Sequence, residues 1–141
     1  MIIEKYTGKI YGYARISTPK QSINRQITNI KERYPDAVII EEQYSGTTVD
    51  RPAFNSLIGR LNEGDTVVFD EVSRMSRSAD EGIRLYEELF DRGVNLVYIK
   101  EPHINTDVYR SKLNRKIEKI KADTGSKATD KLLNAIFAAL R

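Results

Sequence analysis

Short continuous apolar runs alternate along this chain with stretches in which apolar residues recur every three or four positions, the signatures of buried strands and amphipathic helices. Ile10–Ile16 (IYGYARI) is β-prone. It gives way at Ser17-Thr18-Pro19, a strand exit and helix start in which a hydroxyl can cap and proline suits the first turn. Ile23, Ile27, Ile30 and Tyr34 form one stripe on a helix of about four turns, stopped by Tyr34-Pro35-Asp36. Val38–Ile40 reads as a second strand, and Ser45–Pro52 (SGTTVDRP) as a polar loop. From Pro52 a helix carries Phe54, Leu57, Ile58 and Leu61 and closes at Asn62-Glu63-Gly64-Asp65. Thr66–Phe69 (TVVF) is continuous rather than alternating, as a strand buried on both faces is. Ile83, Tyr86, Leu89 and Phe90 mark a helix over Ala79–Arg92 that Gly93 stops, and Asn95–Ile99 (NLVYI) is the fourth strand. This alternation with short connections specifies an α/β fold, a central, mostly parallel sheet of about four or five strands flanked by helices.

Beyond Pro102 the pattern changes. Lys112, Arg115, Lys116, Lys119 and Lys121 crowd a polar stretch that breaks at Thr124-Gly125-Ser126. Leu132, Leu133, Ile136, Phe137 and Leu140 then share one side of a C-terminal amphipathic helix. That segment reaches Arg141 with no cap or stop signal, which reads as a piece of a longer chain. The expected division is an α/β body over 1–107 and a basic connector with the start of a further helix over 108–141.

The length of 141 residues suits one domain. No apolar run approaches the roughly 20 residues of a membrane span, so no membrane partner is expected. The absence of cysteine removes disulfides, thiol nucleophiles and zinc–thiolate sites, and the single His103 removes multi-histidine metal chemistry. Charge is unevenly spread. Residues 1–107 hold 14 Lys and Arg against 17 Asp and Glu, net −3, while 108–141 hold 9 against 3, net +6. A basic segment of that kind fits a polyanion, DNA or RNA first; a solvated lysine-rich helix has the same composition.

In an open parallel sheet, ligands bind beyond the carboxyl ends of the strands. Ser17 and the arginines Arg15, Arg51, Arg74 and Arg77 all fall there. Arg15 and Ser17 share a strand face, and Arg74 and Arg77 share the face of a helical turn. One hydroxyl among guanidinium groups suits phosphoryl transfer, in which negative charge on non-bridging oxygens is neutralised without a metal and serine can hold the phosphate as an ester. With no histidine base at hand, a hydrolase triad is disfavoured. Plainer roles are open as well: Ser17 as a helix cap, Arg51 covering a helix start, and Arg74 and Arg77 paired with Asp70, Glu71 or Asp80. Asp70-Glu71 at a strand end raises a metal-dependent nuclease, but no third acid sits at an obvious spacing, so no metal is expected. His103 reads as a polar loop residue.

Tyr11-Gly12-Tyr13-Ala14-Arg15-Ile16-Ser17-Thr18, then Gln21 and Gln26, then Ser45-Gly46 with Asp50-Arg51-Pro52, then Ser73-Arg74-Met75-Ser76-Arg77, resemble in order and spacing the serine recombinase catalytic domain of the resolvase/invertase family. The likeness runs from about Ile10 to Asp107 and is specific because its pieces recur in sequence. It implies a metal-independent, ATP-independent recombinase in which Ser17 attacks a DNA phosphodiester to form a 5′-phosphoserine link. It implies that Arg15, Arg51, Arg74 and Arg77 bind the scissile phosphate, with Gln26 and Gln21 supporting the site. It also implies DNA as partner, a homodimer that becomes a tetramer in the synapse, no cofactor, and a cytoplasmic setting in a bacterium, phage or mobile element. The C-terminal segment resembles the start of that family's long interface helix, and Lys112, Arg115, Lys116 and Lys119 are candidates for DNA-backbone contact. One residue departs from the pattern. Ser73 stands where family members commonly carry aspartate, leaving Asp70 or Glu71 to supply an acid, or the arginines to act without one. A non-catalytic DNA-binding or assembly module on the same fold is the alternative.

Overall fold

The computed structural model describes residues 8–16, 20–43 and 51–124. Four strands, β1 (Ile10–Ile16), β2 (Val38–Gln43), β3 (Thr66–Phe69) and β4 (Asn95–Tyr98), form one parallel sheet in the order β2-β1-β3-β4. The helices are α1 (Lys20–Arg33), α2 (Pro52–Arg60), α3 (Ala79–Asp91) and α4 (Thr106–Thr124). Short 3₁₀ turns occupy Val72–Arg74 and Pro102–Ile104.

Strand alternation sorts the core into two faces. Tyr11, Tyr13, Val67, Phe69, Leu96 and Tyr98 pack with Phe54, Leu57 and Leu61 around α2 and with Leu89 of α3. Rings carry much of this face: Tyr13 lies 4.8 Å from Phe54, and Phe69 stacks on Tyr98 at 5.4 Å. On the other face α1 lays Ile23 against Ala14 and Ile16, and Ile30 against Val68 and Ala37. Gly12 lets α1 approach, since a Cβ there would stand 2.8 Å from Ile30 Cγ2. Gly93, at φ +78, ends the α3 turn as its sequence position predicts.

Two features differ from the sequence reading. β2 continues past Ile40 to Gln43, because Glu42 is buried and bonded where an acid would ordinarily leave the sheet. Ile83, expected on the buried stripe of α3, is 52% exposed; of that helix only Leu89 is fully covered. The basic stretch after Asp107 is helical as far as Thr124, within α4.

Among the described residues, the outer edge of β4 is closed by side chains rather than by a fifth strand. Asn105 Oδ1 accepts from the Tyr98 amide at 2.7 Å and Thr106 Oγ1 from the Leu96 amide at 2.9 Å. From there α4 runs back against the direction of β4, reaching Asn95 through Arg110 at 3.4 Å. No helix among the described residues is long and apolar enough to cross a membrane.

Candidate functional site

At the carboxyl end of the sheet β1 outlasts β3. The β1–β3 register stops at Tyr13 and Phe69, while β1 continues beside β2 to Ile16. Arg15 therefore lies beyond the end of β3, and Gln26 of α1 completes its hydrogen bonding: Oε1 accepts from the Arg15 N–H at 3.0 Å, and Nε2 donates to the Arg15 carbonyl at 2.9 Å. Gln26 is almost wholly buried. The side-chain amide takes the place of a strand backbone.

So anchored, the buried Arg15 sends its guanidinium to the Ser73 carbonyl. Arg51, also buried, lies over the Phe54 ring at 4.1 Å and donates to the neighbouring Arg74 carbonyl at 3.2 Å. Two guanidiniums from separate elements thus meet on successive carbonyls of the 72–74 turn. That turn is held from behind by Glu101, whose carboxylate accepts from the Val72 amide at 2.9 Å. Arg74 pairs with Glu71 at 3.2 Å, and its Nε is buried without a hydrogen-bond partner among the described residues.

The structure therefore brings Arg15, Arg51 and Arg74 together. Arg77 is exposed, past the turn, on the rim of a cavity of about 730 Å³ between α3, the 102–104 turn and α4. Ser73 is exposed and contributes its carbonyl. Ser17 lies outside the described residues, two positions after Arg15 in the chain, and so does the 44–50 loop. Gln21 sits in the first turn of α1 and Lys119 on α4, with only their backbones described.

Asp70 is buried, accepting from Asn29 of α1 at 2.8 Å and facing Lys100 at 3.4 Å; Glu71 reaches the same ammonium at 4.0 Å. The strand ends at Phe69, so the two acids are not turned apart by alternation. A lysine sits between them. Among the described residues no three His, Asp or Glu side chains gather as a metal site would require. His103 is an exposed residue of the 102–104 turn.

Sequence reasoning missed Glu42. Its carboxylate accepts from the Ala53 and Phe54 amides at 3.0 and 2.8 Å, capping α2 from a neighbouring strand, and from the Tyr13 hydroxyl at 2.8 Å. By fixing the start of α2 it fixes Arg51. Burial, and then the carboxylate beside it, push the Tyr13 hydroxyl far above the usual phenol range, against the opposing pull of Arg51 and Arg15. The signal was present, because Glu42 shares a strand face with Ile40, which packs in the core.

Lys112, Arg115 and Lys116 are exposed on α4. α4 enters beside Leu96 and Asn95, at the amino end of β4, and Arg110 lies over Phe90 at 4.8 Å near the end of α3. Lys112 lines the cavity that Arg77 rims.

The family model described as the resolvase N-terminal domain matches residues 10–131, which takes in every element just described. The chain belongs to the resolvase family. A resolvase of Clostridium perfringens is 34% identical over 98 residues, covering 69% of this chain and 52% of the relative. The transposon Tn917 resolvase of Enterococcus faecalis is 36% identical over 92 residues, covering 65% and 50%. The chain spans about half the length of these relatives. Among solved structures, a serine recombinase from Sulfolobus solfataricus aligns with TM-score 0.57 at 22% identity over 92% of this chain and 98% of that one. A resolvase family site-specific recombinase from Streptococcus pneumoniae aligns at 0.53 and 20%, covering 96% and 100%. These two structures share the fold of this chain.

Proposed function

We propose that this chain is the catalytic part of a site-specific DNA recombinase that cuts and rejoins phosphodiesters through Ser17. The observation that carries the reading is the meeting of Arg15 and Arg51 on the turn that bears Arg74, at the sheet edge where β1 leads toward Ser17. In this reading the Ser17 oxygen attacks phosphorus, the 3′ oxygen of the DNA leaves, and the proton released by serine is matched by the one the 3′ oxygen takes up. The product is a 5′-phosphoserine ester that retains the bond energy, so that reversal rejoins the strand without ATP. Guanidinium groups, each carrying several N–H donors, neutralise the charge developing on the non-bridging oxygens.

Arg74 and Arg77, more exposed than Arg15 and Arg51, approach DNA first. Gln26 and Asp70 act as positioning residues, one for the end of β1 and the other between α1 and β3. Where family members commonly carry aspartate, this chain offers the Glu71 carboxylate, paired with Arg74. The working form is a homodimer that becomes a tetramer on DNA.

The test incubates the full chain with duplex DNA carrying its crossover site and separates covalent protein–DNA species on a denaturing gel. An adduct is expected from the parent, none from Ser17→Ala, with no change on adding EDTA. An adduct from Ser17→Ala refutes the nucleophile, and none from the parent leaves a binding or assembly module. Cleavage that EDTA abolishes means a metal nuclease.

A further inference from the structure

Backbone pairing between β3 and β4 carries on past both strands. The Ile99 N–H donates to the Phe69 carbonyl and the Lys100 N–H to the Asp70 carbonyl, each at 3.0 Å. One residue further, Glu101 holds the Val72 amide. Lys100 is thereby fixed beside Asp70-Glu71, at the foot of the turn that carries Arg74. Its ammonium lies 3.4 Å from Asp70 Oδ2 and 4.0 Å from Glu71 Oε2.

The same Glu71 oxygen meets the Arg74 guanidinium at 3.2 Å. One carboxylate oxygen therefore stands between two cations, nearer the arginine. Arg15 and Arg51 each spend a donor on a carbonyl of the turn, whereas the Arg74 side chain has only Glu71 as an ion-pair partner among the described residues. Its Nε is buried with no hydrogen-bond partner among them. In the chain without DNA, Glu71 thus takes up the charge that a phosphate needs. A DNA phosphate that engages the Arg74 fork is set beside this carboxylate, and like charges so close repel. Lys100 offers the displaced carboxylate a place. Its ammonium carries three donors, it is half-exposed, and Asp70 keeps it in position while Asn29 holds the other Asp70 oxygen at 2.8 Å.

We propose that Lys100 is a positioning residue of the cleavage site: it draws the Glu71 carboxylate off Arg74 when a DNA phosphate binds there. Arg74 is then neutralised in the free chain and open to phosphate on DNA. This rests on the recombinase reading, which assigns Arg74 to a phosphate, and adds to it a residue outside the motifs of the sequence.

The experiment follows the Arg74 Nε–H resonance by nitrogen-15 NMR as a short duplex carrying the crossover site is added to the full chain. Every protein in the series carries Ser17→Ala, so that binding is read without cleavage, and loss of the signal in Arg74→Lys identifies it. Salt of about 0.15 M screens charges more than about 8 Å apart. Lys100→Gln is expected to raise the half-saturating DNA concentration roughly three- to fivefold, near the upper end for a half-exposed ion pair. Glu71→Gln alone is expected to lower it. In the Glu71→Gln background, Lys100→Gln is expected to change it by less than about 1.5-fold, because the carboxylate through which Lys100 acts is gone. Lys100→Arg is expected to keep the value of the parent. An equal rise in both backgrounds makes Lys100 a direct DNA contact and overturns the proposal. So does a rise that Asp70→Asn abolishes and Glu71→Gln does not, since Lys100 is then only the counter-ion of Asp70. No rise in Lys100→Gln, weaker binding by Glu71→Gln, or an Arg74 resonance that DNA leaves unmoved overturns it as well. Covalent adduct formation by the chain with Ser17 intact reports the recombinase reading separately. Its failure leaves these titrations still to be read, so the two failures are distinct.

Discussion

A buried polar side chain is stable only when its partners are complete, and at this site the partners are backbone groups. Gln26 bonds both the N–H and the carbonyl of Arg15, where β3 has already ended. Replacing it with leucine keeps the volume and orphans two buried groups at about 1–3 kcal/mol each, so Gln26→Leu is expected to destabilise by roughly 2–6 kcal/mol in urea unfolding. A loss below about 1 kcal/mol would mean that water or another group reaches Arg15. The family resemblance marked Gln26 as supporting, but its bidentate geometry was not legible, because nothing in the spacing of Arg15 and Gln26 says that β3 stops two residues short. Glu42 shows the reverse situation. Alternation placed an acid on the core face, yet its three donors come from β1 and from the start of α2, elements that only the tertiary structure brings together.

At the scale of elements, periodicity found what it can find. β1 and β3 begin and end where their apolar runs do, and α1 and α2 follow their stripes, because burial of one face dictates those spacings. Period carries less information where a polar group does the work of an apolar one, as at the end of β2 and at the start of α4, where Thr106 is buried beside Tyr109 and Leu113. The edge of β4 is the sharpest case. Thr106 Oγ1 accepts from the Leu96 amide at 2.9 Å and donates to the Leu96 carbonyl at 3.4 Å, so one hydroxyl closes the edge and starts a helix. Thr106→Val keeps the shape and removes the hydroxyl. The expected cost is about 1–3 kcal/mol, with faster hydrogen exchange confined first to the Leu96 amide. Exchange that accelerates evenly over the whole sheet would instead make this bond a minor part of the stability of β4.

For the molecule as a whole, stability in alkali follows from three phenols, Tyr13 and Tyr98 buried and Tyr86 partly so. Burial is the largest cause in each case. It pushes Tyr86 up to about 12, with Tyr109 adding to the rise, and drives Tyr13 and Tyr98 further still from the ordinary value of 10.0. The unfolded chain gives up these protons near pH 10, whereas the folded chain holds them, so above pH 10 the folded state binds more protons and stability falls as pH rises. The contribution is complete below about pH 10 and is lost progressively as pH climbs through the raised values. Urea midpoints are therefore expected to hold level up to about pH 10 and then decline, while phenolate absorbance of the native protein lags behind that of the unfolded chain. Tyr86→Phe removes one of the three phenols together with its 2.6 Å bond to the Ile104 carbonyl, so the variant starts less stable at neutral pH and declines less steeply in alkali. A parent whose midpoint stays level to pH 12 would place these hydroxyls in contact with water and loosen the aromatic core on which the arginine-bearing turn is built.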